Sequence, residues 1–277
     1  METYNEILQA AREILYNHKI ADAEVDAWYL LDYVTGMNRA DFLLNRGKPI
    51  PQTQALRYRE LVDQRAHHIP LQYLTGTQEF MGLEFDVTKH VLIPRQDTEC
   101  LVEEVLKYCT DKSVLDMCTG SGCIIISLAK LGRISKATAV DISDKALCVA
   151  AGNVIKHQVE VELIQSDLYE RIDGVYDIIV SNPPYINTQD MKGLMPEVRD
   201  HEPKLALEAG DDGMIFYRRI VAGLMSHLSR DGRVFFEIGH DQGEQVRDIL
   251  QRAGFVQIQI KKDLSGHDRV VSAIKCS

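Results

Sequence analysis

The sequence predicts an α/β fold: a mostly parallel sheet of seven strands covered by helices on both faces, with a small helical bundle ahead of it. Three observations carry this reading. Residues 4 to about 68 place apolar side chains at three- and four-residue spacing and show no strand pattern. From Ser113 onward, short apolar runs alternate with helical stretches, the pattern of a sheet wrapped by helices. Three successive runs close on an acid: Asp116, Asp141 and Asp167.

The bundle reads off Ile7, Ala10, Ala11, Ile14 and Leu15, then Val25, Trp28, Leu30, Leu31 and Val34, then Phe42 and Leu43, then Leu56, Leu61 and Val62. Breaks fall at His18-Lys19, at Gly36 and around Gly47-Lys48-Pro49, and Pro51 is placed to open a helix. At residues 69–99 the character changes. Phe80, Leu83, Phe85 and Val87 alternate, Gly82 and Thr88-Lys89-His90 supply turns, and Val91-Leu92-Ile93 stops at Pro94. This is a hairpin connector, and it divides the chain into residues 1–75, 76–96 and 97–277.

Strands are predicted at 113–117, 136–141, 160–165, 176–181, 232–238, 255–262 and 269–275, and helices at 97–109, 122–131, 143–157, 212–228 and 241–253. A short loop joins the last two strands, which suits an antiparallel edge. There is no internal repeat and no low-complexity segment.

Composition narrows the function. With 45% apolar and 26% charged residues in 277, the chain can bury a real core. The opening METYNEILQAAREIL mixes charge with apolar residues, unlike a signal peptide, and no apolar run is long enough to span a bilayer, so a cytoplasmic protein is expected. Six scattered cysteines read as free thiols, and without partners at zinc-finger spacing no metal site is expected. A net charge of −10 disfavours gripping a long nucleic-acid backbone and favours a basic partner.

The stretch SVLDMCTGSGCIIISLAK runs from strand through a small-residue loop, Thr119-Gly120-Ser121-Gly122, into a helix, a geometry that lets backbone approach a nucleotide-type ligand. Asp141, ending the next strand, is placed to accept from ribose hydroxyls, and Asp167 with Leu168 offers one polar and one apolar group to an adenine. Each Asp alone reads as a helix cap or turn residue; jointly they point to a cofactor. Ile125 stands where a dinucleotide fold has its third glycine, and Asp116 would repel a pyrophosphate but can pair with an ammonium. S-adenosylmethionine fits better.

The fourth strand then ends on Ser181-Asn182-Pro183-Pro184-Tyr185. Pro183 keeps Asn182 out of the helical region, and the two prolines remove N–H donors, which leaves carbonyls as acceptors. An incoming –NH₂ group could give both hydrogens to the Asn182 side-chain oxygen and a backbone carbonyl while Tyr185 covers its plane. The chemistry is displacement of methyl from a sulfonium by nitrogen, with no strong base required.

The segments PLQYLTG (70–76), EFMGLEF (79–85), IPRQDTE (93–99), LDMCTGSG (115–122), VDIS (140–143), SNPPYI (181–186), EPKLALEAGDDG (202–213), EIGHDQGEQV (237–246) and KDLSGHDRVV (262–271) resemble the HemK/PrmC family. Its members methylate the side-chain amide nitrogen, N5, of the glutamine in the Gly-Gly-Gln motif of peptide-chain release factors. The resemblance spans nearly the whole chain. It implies the seven-stranded Rossmann-like fold of S-adenosylmethionine-dependent methyltransferases and a monomer whose helical N-terminal domain grips the release factor. It also implies that Thr119, Gly120, Ser121, Gly122, Asp141, Asp167, Leu168 and Asn182 contact the cofactor, with Asp116 and Cys118 beside them. Asn182, Pro183, Pro184 and Tyr185 would hold the glutamine amide, with Phe80 beside the transfer site and Arg95, Thr98 and Glu99 at the pocket border. Cys118 departs from the family pattern, which has glycine there. The tetrad alone also suits an adenine-N6 methyltransferase of DNA or RNA, which the acidic charge disfavours, and a binding protein that has lost turnover would keep the fold but has no need of the full tetrad.

Overall fold

The computed structural model describes residues 2–276. Backbone contacts separate two compact units. One runs from the N-terminus to Gly76 and takes in Met195–His201; the other comprises Thr77–Leu194 and everything from Glu202 on.

The first unit holds helices α1 (Tyr4–Asn17), α2 (Ala23–Thr35), α3 (Arg39–Asn45), α4 (Gln52–Ala66) and α5 (Leu71–Thr75). A reciprocal cap starts α1: Thr3 Oγ1 accepts from the Glu6 amide, and Glu6 Oε2 accepts from the Thr3 amide at 2.8 Å. Gly36, at φ +68°, ends α2 in the left-handed conformation that a side chain would disfavour. Tyr58 is fully buried and donates its hydroxyl to the Ala27 carbonyl at 2.8 Å, and Trp28 meets Phe42 edge-on at 5.3 Å. The sequence pattern missed α5, whose five residues are too few for a helical period.

The second unit opens with a hairpin, β1 (Thr77–Phe80) and β2 (Leu83–Asp86), turning at Gly82. The segment 87–95 beyond it forms no strand. There follow α6 (Gln96–Leu106), β3 (Ser113–Met117), α7 (Cys123–Leu131), β4 (Lys136–Asp141), α8 (Asp144–His157), β5 (Glu162–Gln165) and β6 (Tyr176–Ser181). After the short helix α9 (Pro196–His201), which belongs to the first unit, come α10 (Ile215–His227), β7 (Leu228–Glu237), α11 (Gly243–Arg252), β8 (Phe255–Lys262) and β9 (Asp268–Lys275). The seven strands stand in the order β5-β4-β3-β6-β7-β9-β8, and β9 runs opposite to the other six.

Strand pleat explains why the central strands read as unbroken apolar runs. Along β6, Ile178 and Val180 join the cluster under α6 and α7, whereas Ile179 joins the one under α10 and α11. Val114 and Leu115 divide in the same way on β3, and Phe235 and Phe236 on β7. The hairpin is fastened to α8 by Asn153, fully buried, whose side chain accepts from the Asp86 amide at 2.8 Å and donates to the carbonyls of Asp86 and Ser121. No helix among the described residues is long and apolar enough to cross a membrane.

Candidate active site

The chain runs outward in both directions from the neighbouring strands β3 and β6, so the loops beyond β3, β4 and β6 diverge around a crevice at the carboxyl ends. A cavity of about 260 Å³ opens there.

The loop after β3 is built on left-handed backbone: Cys118 has φ +62°, Gly120 +56° and Gly122 +80°. A Cβ on Gly122 would lie 3.0 Å from Ile126 Cδ1 and 3.3 Å from Ala150 Cβ, so the turn into α7 requires glycine for space as well as conformation. Asp141, at the end of β4, braces this loop. Its Oδ2 accepts from the Gly120 amide and its Oδ1 from the Ser143 amide, each at 2.9 Å. Burial raises its pKa, and these two donors work against the rise.

Of the residues singled out from sequence, Cys118, Gly120, Asp141, Asp167, Leu168, Asn182 and Pro184 line the cavity together. Asp116, Thr119, Ser121 and Gly122 do not. The pleat of β3 turns Asp116 toward α7, where its Oδ2 accepts from the Thr119 hydroxyl at 2.6 Å and its Oδ1 has no partner. Burial pushes its pKa up to about 7. Asp116 therefore braces the loop from behind, and the direct ammonium contact expected of it has no support in this geometry. Phe80 also departs from expectation. Its ring is 1% exposed, edge-on to Phe85 at 6.1 Å, and packs in the core under α6 and α7.

At the end of β6, Pro183 and Pro184 are buried and Asn182 is partly exposed. Asn182 Nδ2 donates to the Thr98 hydroxyl at 3.2 Å. Tyr185 packs against the apolar cluster under α10, and its carbonyl accepts from Gln242 Nε2 at 2.8 Å. Behind the tetrad lies Glu237, the last residue of β7, 2% exposed and with a pKa pushed up to about 7 by burial. Glu99 Oε1 accepts from the Met81 amide, which ties the hairpin turn to α6. Arg95 is ion-paired with Glu202.

Sequence reasoning did not single out Ile142, Leu205, Phe216 or Arg219, which also line the cavity. Phe216 and Arg219 stand on α10, and nothing in that helix's periodicity says which face meets a ligand. Arg219 Nη2 is 2.9 Å from Asp167 Oδ1, so the acid beyond β5 already has a cationic partner.

Comparison with known proteins agrees with this architecture. Residues 6–76 match the family described as PrmC N-terminal domain, and residues 95–198 match the methyltransferase small domain. Among solved structures, the chain is similar to a methyltransferase from Pyrococcus furiosus (TM-score 0.54, 18% identity, 72% of this chain and 91% of that one). It is also similar to the ribosomal protein L11 methylase of Lactobacillus delbrueckii subsp. bulgaricus (TM-score 0.52, 23% identity, 69% and 84%). At such identities these likenesses show the fold alone. Much nearer in sequence is the release factor glutamine methyltransferase of Geobacter sulfurreducens, 40% identical over 97% of this chain and 95% of its own. The enzyme of the same description from Clostridium acetobutylicum is 40% identical over 90% of each. With that identity sustained across both units, the chain belongs to the release factor glutamine methyltransferase family.

Proposed function

We propose that this protein transfers the methyl group of S-adenosylmethionine to the side-chain amide nitrogen, N5, of the glutamine in the Gly-Gly-Gln motif of peptide-chain release factors. The observation that carries the reading is Asn182. It stands at the cavity at the end of a buried strand, with the nitrogen of its amide engaged by Thr98, so that its side-chain oxygen is left as an acceptor. Membership of the family names the amide that it would meet.

The residues present fit the cofactor. Ile142, Leu168 and Phe216 give the cavity apolar walls suited to an adenine. Asp141 spends one acceptor site of each oxygen on backbone and keeps lone pairs for ribose hydroxyls. The β3 loop offers no basic side chain to a phosphate. When bound, the cofactor supplies an electrophilic methyl on a sulfonium. Asn182 Oδ1 and a carbonyl of the Asn182-Pro183 segment accept the two N–H groups of the glutamine, which fixes the amide plane and aims its nitrogen. The prolines hold this segment extended and add no competing donors.

The helical residues 1–75 serve as the release-factor recognition domain in this reading, with 76–96 as connector, and the protein works as a cytoplasmic monomer without a nucleic-acid substrate. The acidic chain, at −10, suits a protein partner better than a phosphate backbone. Incubation with methyl-labelled cofactor and either a release factor or adenine-containing DNA tests the proposal. Label on the release-factor glutamine, abolished by Asn182→Ala with cofactor binding kept, is the expected result. Label on DNA alone would sink it.

A further inference from the structure

We infer that Thr98 and Glu237 are positioning residues that fix the polarity of the Asn182 amide, so that its oxygen and not its nitrogen faces the incoming substrate nitrogen. The inference rests on the function proposed above and adds a requirement to it. An asparagine amide has a donor end and an acceptor end of almost the same shape, and a half-turn about its last torsion exchanges them. If the nitrogen faced the substrate, two donors would meet and the amide could not be held. Something must prevent that half-turn.

Thr98, 2% exposed on the first turn of α6, accepts through its hydroxyl from Asn182 Nδ2 at 3.2 Å. A hydroxyl has one proton. Glu237 follows Phe236, which pairs with Ser181 just ahead of Asn182; it stands within reach of both the Thr98 hydroxyl and the Asn182 amide, and its Oε2 has no hydrogen-bond partner. A buried carboxylate is acceptor-only when ionised, so it claims the hydroxyl proton and leaves Thr98 only lone pairs to offer. Only the nitrogen end of Asn182 can then bind Thr98. The Asn182 oxygen is turned outward as a consequence, by a chain of two side chains of which neither lines the cavity. Arg269, paired with Asp97 at 3.0 Å and Asp263 at 3.1 Å, together with Tyr185, Tyr217 and Cys123, makes up the charged and titratable surroundings of this carboxylate.

Thr98→Val removes the hydroxyl and keeps the shape. In the release-factor assay, kcat should fall about 10-fold to 100-fold, the scale on which a misaligned reacting group slows an enzyme. The dissociation constant for S-adenosylmethionine should stay within about twofold, and Thr98→Ser should recover most of the turnover. A structural role alone would not give that combination, because loss of packing should disturb cofactor binding and should not be repaired by the smaller serine. Turnover of Thr98→Val within twofold of the unaltered protein, or cofactor affinity falling in step with kcat, overturns the inference while the unaltered protein still labels the release factor. Failure of the unaltered protein to label it overturns the function proposed above, and this inference with it.

Discussion

Arg95 is ion-paired with Glu202, whose second carboxylate oxygen accepts the Ile93 amide at 3.4 Å. The pair joins two segments that line the cavity. His90, Val91 and Leu92 stand just ahead of Arg95, and Pro203, Leu205 and Ala206 follow Glu202 directly. The Glu202 side chain is 1% exposed, and burial raises its pKa while Arg95 opposes the rise.

Arg95→Ala leaves that carboxylate buried without its cation. Arg95 is itself 40% exposed, so the loss of stability should be toward the small end of the range for broken ion pairs, about 1–2 kcal/mol. The sharper effect is expected on the ligand. With the two segments unclasped, S-adenosylmethionine should dissociate faster and bind several-fold more weakly, read by calorimetry and stopped-flow fluorescence, whereas Glu202→Gln, which keeps one acceptor oxygen and leaves no buried charge unpaired, should lose less. Unchanged cofactor kinetics in Arg95→Ala would show that the clasp does not govern access.

Cys118 adopts φ +62° on the wall of the cavity, a conformation in which a side chain costs roughly 1 kcal/mol relative to glycine. Cys118→Gly relieves that strain but frees the unfolded chain by a similar amount, so its stability should change by less than about 1 kcal/mol and cofactor binding should persist. Cys118→Val adds a branched carbon to the same backbone and should cost about 1–3 kcal/mol with a clear loss of affinity, measured by thermal melts and titration. The thiol should resist alkylation at pH 8, because burial and the nearby Asp141 and Asp116 carboxylates push its pKa far up. Rapid labelling would contradict this environment.

The sheet was readable because its central strands are buried on both faces and spell their positions as apolar runs, such as Ile178-Ile179-Val180. The strand-end acids marked the crevice, since Asp141 and Asp167 stand where β4 and β5 give out. Asp116 was misplaced because strand pleat decides its face: it shares a side with Val114, under α7, and not with Leu115. Phe80 was placed beside the transfer site by family resemblance alone, and alternation in a hairpin does not tell a core-filling ring from an exposed one. The short helix α9 and the pairing of Arg65 with Glu197, at 2.9 Å, were invisible, because a segment 132 positions away completes the first unit. Thr98 had only family resemblance to recommend it and Glu237 was not singled out at all, because their relation to Asn182 depends on α6, β6 and β7 coming together.

Glu237 connects stability with catalysis in a way that pH can separate. Burial raises its pKa from 4.5 to about 7, with hydrogen bonding from Thr98, the Arg269 charge and hydrogen bonding from Asn182 opposing the rise and Asp97 adding to it. Between these values the folded protein holds a proton that the unfolded chain has released. The contribution to stability is therefore most favourable below about pH 4.5, falls as pH climbs toward 7 and is level above it. The difference is on the order of 3 kcal/mol for a fully buried group. Glu237→Gln abolishes that dependence, so at pH 8 the variant should melt about 4–8 °C above the unaltered protein, with a smaller gap at pH 5. Its turnover should move the other way. The unaltered protein should gain kcat as pH rises through 7 and the carboxylate ionises, whereas Glu237→Gln, whose amide can present either end to Thr98, should be slower at pH 8 and lack that step. Tyr185 and Tyr217, both raised by burial, do not titrate in this range. A variant that melts lower at pH 8, or that keeps the same pH step in kcat, would show that ionised Glu237 has no part in holding Asn182.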